Sequence, residues 1–142
     1  MSILDKESQE ILKQQLKRHE GLVCQLYKCT AGKQTIGVGR NLDDMGISES
    51  EAMFMLDNDL ARIDGELEKN IPALSGLSKN RKIVLMNMAF NLGIGRLLQF
   101  KNMLSALGQH DYKTASEEML SSRWAQQVGN RAKELSEMML IG

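Results

Sequence analysis

The stretch from Ser78 to Gly93 constrains the fold of this chain more than any other. Ile83, Val84, Leu85, Met86, Met88, Ala89 and Phe90 fill it, and only Asn87 interrupts the run. Ser78 stands where an N-cap side chain can accept from the first turn, and Gly93 where a helix commonly stops. A helix over this span is apolar on nearly every side, and such a helix belongs inside a core. It is far too short to cross a bilayer, which takes about 20 apolar residues. The expectation is a buried helix at the centre of a helical lobe.

A chain of 142 residues can wrap such a helix as one domain with room for two lobes. With 42% hydrophobic residues and zero formal net charge, disorder is excluded. A single Pro excludes a collagen-like chain. Ten Met read as adaptable core filler rather than as a cofactor box. Cys24 and Cys29 on one strand would stand about 16 Å apart at ~3.3 Å per residue. A disulfide allows about 7 Å between Cα atoms, so two free thiols are expected, which suits synthesis in a reducing compartment. Met1 to Lys17 is polar and holds no apolar run for a signal peptide or an anchor, so no membrane insertion is expected.

Neutrality conceals an asymmetry. Residues 1–71 carry 9 basic and 13 acidic side chains, and residues 72–142 carry 9 basic and 5 acidic. Two solvated faces of opposite sign explain this, and a basic side can also steer an anionic polymer. Nucleic acid is not expected as a partner, because no binding motif is present and aromatics are only 4%.

Other elements follow from caps and periodicity. A first helix runs from Asp5 to about His19, with Ile11, Leu12 and Leu16 on one face and Gly21 just past its end. Apolar Val23, Cys24, Leu26 and Tyr27 precede a turn at Cys29-Thr30-Ala31-Gly32. Gln34 to Val38 returns as a second strand, and a third is expected near Arg40 to Leu42. Ser48 and Glu51 form a capping box that opens a helix ending near Lys69, before Pro72. Beyond Gly93, helices are expected over about 96–107, 111–121 and 130–140, with Trp124 in the core.

No phosphate-binding glycine loop, paired-cysteine metal motif or HExxH occurs, so no metal or cofactor is expected. What remains is a density of polar groups around the hairpin. Glu20 ends the first helix, Cys29 ends the first strand and Thr35 begins the second. That layout can aim a carboxyl, a thiol and a hydroxyl into one cleft, although most such residues are caps or surface groups.

His19-Glu20-Gly21-Leu22, Tyr27-Lys28-Cys29-Thr30, Gly32 and Thr35-Ile36-Gly37-Val38-Gly39 closely resemble the phage-type lysozymes, a family of glycoside hydrolases. The family's spacing of Glu, eight residues, Asp or Cys, five residues and Thr is met by Glu20, Cys29 and Thr35. The likeness continues through Gly46-Ile47-Ser48, Ala89-Phe90-Asn91-Leu92-Gly93-Ile94-Gly95, Ser122-Arg123-Trp124 and Asn130-Arg131-Ala132. It therefore spans nearly the whole chain.

The resemblance implies a mainly α, α+β lysozyme-like fold in a single domain over 1–142. A small β-containing lobe would occupy about 20–47, a linking helix about 48–69, and a helical lobe about 72–142 together with the N-terminal helix. It implies a muramidase that cuts the β-1,4 bond between N-acetylmuramic acid and N-acetylglucosamine in peptidoglycan. Glu20 would be the general acid and must hold a proton at the working pH. Cys29 stands where most members have an Asp that activates water. A thiolate there could serve as the base, or attack the sugar itself and give retention. Thr35 would position the water, Arg131 would pair with the acid, and Asn41, Phe90 and Asn91 would line the cleft.

An endolysin made in a host cytoplasm is implied, acting on the periplasmic wall after a holin opens the membrane, and a monomer is expected because no long heptad pattern is present. Arg40 departs from the family's pattern by replacing a common His, and zero net charge departs from a basic balance. Cys29 keeps a second possibility open, a catalytically weak glycan- or protein-binding module on the same fold. A purely structural helical protein would leave the polar hairpin unexplained.

Overall fold

The structure, a computed structural model, describes residues 2–142. It is mainly helical with one small antiparallel sheet, as the caps and periodicities predict. The chain divides into two compact units, one ending at Met53 and the other running from Phe54 to Gly142.

The first unit opens with α1 (Lys6–Glu20). Asp5 caps it by accepting the Ser8 N–H at 2.7 Å, and Gly21 at φ 83° ends it by donating to the Lys17 carbonyl. Strands β1 (Val23–Lys28), β2 (Gln34–Gly37) and β3 (Arg40–Asn41) follow in the order β1-β2-β3, both pairs antiparallel. Tyr27 faces Thr35 across the first pair and Asn41 faces it across the second, so Thr35 sits mid-sheet. The ladder between β1 and β2 shifts register between Val23 and Tyr27.

The third strand is shorter than the sequence suggests. Leu42 begins a one-turn helix, α2 (Leu42–Met45), because the Asn41 side chain accepts the Asp44 N–H at 3.1 Å and starts helical geometry there. Next, α3 (Glu49–Asn70) starts at the expected capping box. Ser48 Oγ accepts from the Glu51 N–H at 3.1 Å, and the Glu51 carboxylate accepts from the Ser48 N–H at 2.9 Å. The boundary between the units falls inside α3.

Among the described residues every buried hydrophobic side chain lies in the second unit. After a 3-10 turn at Pro72–Gly76 come α4 (Lys79–Leu92), α5 (Ile94–Leu97), α6 (Lys101–Gly108), α7 (Tyr112–Leu120), α8 (Arg123–Val128) and α9 (Asn130–Ile141). Helix α7 packs on α6 and α9, and α4 packs on α5 and α9. Leu67, Leu85, Met88, Leu97, Met103, Leu107, Met119 and Met139 are fully buried. Each contributes about 1.5–3 kcal/mol by leaving water. Four methionines among them bear out their reading as core filler.

Three expectations are corrected here. Helix α4 is not buried all round, because Ile83 is 51% exposed and Phe90 48% exposed. Val84, Leu85, Met88 and Ala89 face the core, while Ile83, Met86, Asn87 and Phe90 share the opposite stripe. Apart from Asn87 that stripe is itself apolar, so hydropathy hardly tells the two faces apart. The helix expected over 96–107 is broken at Leu98–Phe100. Gln99 and Phe100 donate to carbonyls three residues back, which tightens the turn and ends α5. Phe100 then packs edge-on against Trp124, with ring centroids 6.2 Å apart. Finally, α8 was not expected. The Ser122 side chain caps it by accepting the Ala125 N–H, a signal present in the sequence.

Candidate active site

In the first unit the β1–β2 turn is closed by its own backbone. The Gly32 N–H donates to the Cys29 carbonyl at 2.8 Å and the Cys29 N–H donates to the Lys33 carbonyl at 2.9 Å. Gly32 holds φ 77°, a conformation in which a side chain would be strained. The Thr35 hydroxyl donates to the same Lys33 carbonyl at 2.9 Å. Cys29 and Thr35, six positions apart, are thus brought together on one oxygen. Thr35 is 3% exposed and the only buried side chain among the described residues of its unit.

Both cysteines are free thiols, Cys24 exposed and Cys29 partly buried. The Cys29 thiol is held below its ordinary value. The Lys33 N–H acts most strongly, followed by the Ala31 N–H, with a smaller contribution from the Thr35 hydroxyl, and partial burial opposes them. Donors aimed at sulfur favour the anion, the form that can act as base or nucleophile. The Thr35 hydroxyl has one proton, so it serves either the carbonyl or the sulfur at a given moment.

Glu20 is the last residue of α1. The turn from β2 to β3 comes up against it, with Gly37 at φ 71° and Gly39 at φ 67°. A Cβ on Gly39 would stand 3.0 Å from Glu20 Oε2. The absence of a side chain at Gly39 is what lets backbone and carboxylate approach.

Arg40, the departure from the family's pattern, has a defined task. Its guanidinium reaches both oxygens of Glu51, at 3.0 and 2.9 Å, and also the Gly46 carbonyl at 3.1 Å. Arg40, together with the Ser48 N–H and hydroxyl, pulls the Glu51 carboxyl down to about 2. One ion pair thereby fastens β3 to the start of α3.

Asn41 spends its side chain locally. Its oxygen caps α2 and its amide donates to Asp44 Oδ2 at 2.8 Å. Sequence reasoning missed Asp43, which accepts the Gln34 N–H at 2.7 Å, and Asp44, which pairs with Lys33 at 3.3 Å. Two acids at the second and third positions after a cap residue were the available signal.

The other three predicted residues lie in the second unit. Arg131 donates through Nε and Nη2 to Asn87 Oδ1, at 3.0 and 2.7 Å. Phe90 and Arg131 line one cleft of about 460 Å³ with Leu56, Leu60, Ile83 and Met86. Asn91, next in sequence to Phe90, turns away and accepts the Trp124 indole N–H at 2.8 Å. Trp124 is buried as expected and borders a second cavity of about 500 Å³ rimmed by Arg96, Lys101 and Arg123. Among the described residues no group of three His, Cys, Asp or Glu side chains could hold a metal.

Comparison with known proteins identifies the family. The profile of the family described as phage lysozyme matches residues 17–138, a span that includes all seven predicted site residues. Probable T4-type lysozyme 1 of Dictyostelium discoideum is 30% identical over 92% of this chain and 94% of its own length. An endolysin of Acyrthosiphon pisum secondary endosymbiont phage 1 is 30% identical over 82% of this chain and 80% of its own. The pre-baseplate central spike protein Gp5 of Enterobacteria phage T4 is 28% identical over 89% of this chain, which spans 27% of that larger protein. This chain belongs to the phage lysozyme family, a class of glycoside hydrolases.

Proposed function

We propose that this glycoside hydrolase is an endolysin in which Glu20, Cys29 and Thr35 carry the reaction. Membership in the phage lysozyme family makes it a peptidoglycan-degrading muramidase, cutting between N-acetylmuramic acid and N-acetylglucosamine. Glu20 protonates the leaving glycosidic oxygen. The Cys29 thiolate takes a proton from a water, and that water's oxygen bonds to the anomeric carbon as the glycosidic bond breaks. Thr35, with its own proton on the Lys33 carbonyl, offers lone pairs that hold the water.

The single observation that supports this reading is the shared Lys33 carbonyl, which holds the Cys29 backbone N–H and the Thr35 hydroxyl on one oxygen while backbone N–H groups favour the thiolate. A water between base and sugar leads to inversion at the anomeric carbon. Direct attack by sulfur would instead give retention. Arg131, Phe90, Asn91 and Asn41 are proposed to support the substrate. The protein is further proposed to work as a monomer, reaching the periplasmic face of the wall from the host cytoplasm with the help of a holin. No helix among the described residues is long and apolar enough to cross a membrane.

The test is release of reducing ends from purified Gram-negative peptidoglycan by wild type and Glu20→Gln, with reductant protecting Cys29. Muramic reducing ends from wild type alone are expected, and proton NMR of the fresh products is expected to show inverted configuration. Anhydro-muramic ends would indicate a lytic transglycosylase. Absence of product with intact sacculus binding would indicate a binding module.

A further inference from the structure

One peptide group carries more of the site than its position in a surface turn suggests. The carbonyl of Lys33 and the N–H of Gln34 belong to the same planar unit. Its oxygen accepts from the Cys29 N–H and the Thr35 hydroxyl, both at 2.9 Å. Its N–H, on the opposite side, donates to Asp43 Oδ2 at 2.7 Å. Rotation of that plane would move both acceptor contacts at once. We propose that Asp43 is a positioning residue for Cys29 and Thr35, holding the plane of the Lys33–Gln34 peptide from the side away from the reacting groups.

A carboxylate on the N–H end does two things. The short charge-assisted bond resists rotation, and it polarises the peptide so that the carbonyl becomes a better acceptor. Asp43 itself is held in α2, whose start is fixed by the Asn41 cap. Asp44 is the natural contrast. Its carboxylate pairs with the Lys33 side-chain ammonium at 3.3 Å, whereas that of Asp43 takes the Gln34 N–H. Lys28 and Lys33 flank Cys29 on the hairpin, Asp43 and Asp44 of α2 bond to Gln34 and Lys33, and Glu20 is the carboxylate proposed to share the reaction.

This inference rests on the proposed role of Cys29, so the test reads the thiol directly as well as turnover. In a full-length Cys24→Ser background, iodoacetamide alkylation of Cys29 is followed against pH for Asp43→Ala, Asp43→Asn and Asp44→Ala. The alkylation midpoint is expected to rise in Asp43→Ala, and kcat to fall at least tenfold with KM nearly unchanged, within the roughly 10²-fold that misplacement costs. Asn still offers Gln34 a neutral acceptor but not the charge, so Asp43→Asn is expected to fall between the parent and Asp43→Ala. An unmoved alkylation profile in Asp43→Ala, or an equal shift in Asp44→Ala, overturns the assignment.

Should Asp43→Ala fail to fold, NMR of the unmodified chain decides. The Gln34 and Cys29 amide protons are expected to titrate together with the Asp43 carboxylate, and flat amide shifts through that titration overturn the proposal. A shifted thiol profile in a chain that releases no reducing ends would uphold the positioning and overturn the muramidase chemistry instead.

Discussion

Gly39 and Glu20 meet where the β2–β3 turn passes the end of α1, and a Cβ on Gly39 would lie 3.0 Å from Glu20 Oε2. Two costs therefore attach to Gly39→Ala. The residue sits at φ 67°, where a side chain costs about 1–2 kcal/mol. The added methyl also displaces the carboxylate proposed as the acid. The expected outcome is a small loss in melting temperature but a fall in kcat of about 10-fold or more, within the ~10²-fold that a misplaced group costs. Melting curves and reducing-end assays on the same preparation check it, and proportionate losses in both would count against the role of Glu20.

Glu51 ties stability to pH. Its folded carboxyl lies near 2 against an ordinary 4.5, so the unfolded chain binds the proton more tightly. Its contribution is present above pH 4.5 and is lost as pH falls toward 2. Arg40→Ala and Glu51→Gln are each expected to flatten that acid limb in urea unfolding followed by near-neutral and acidic titration. Their pair is about 40% solvent-exposed, so salt should weaken the effect in wild type.

Cys29 is expected to set the sensitivity of the enzyme to thiol reagents. Cys29→Ser removes the thiol proposed as the base and is expected to lower kcat by about 10²–10⁴-fold, the usual contribution of a general base. Iodoacetamide is expected to inhibit wild type and Cys24→Ser alike. Because backbone donors lower the Cys29 thiol, its alkylation midpoint is expected below that of an ordinary cysteine. Mass mapping of alkylated peptides against pH measures both. A large gain of lysis from near zero in Cys29→Asp would favour the binding-module alternative.

Met88 tests the core. It is fully buried on the inward face of α4. Met88→Ala is expected to cost about 2–5 kcal/mol. Ile83→Ala, on the half-exposed stripe of the same helix, is expected to cost much less. Urea unfolding of the two variants separates the faces, and equal losses would contradict the split.

The helix ends were legible because caps are local. Asp5, Ser48 and Ser78 each bond to an N–H three residues on, and Gly21 and Gly93 adopt backbone angles that few other residues tolerate. The meeting of Cys29 and Thr35 was equally legible, since a hairpin turns sequence separation into proximity. What sequence alone could not decide is how two apolar faces of one helix divide between core and solvent. Hydropathy is the same for Val84 and Ile83, and only the packing of α9 and α5 against α4 makes one buried and the other half-exposed. Nor could it reveal that the Lys33 carbonyl joins Cys29 to Thr35, or that Asp43 holds that peptide from behind. Those bonds depend on the orientation of a backbone plane, and a backbone plane is oriented by the tertiary contacts around it.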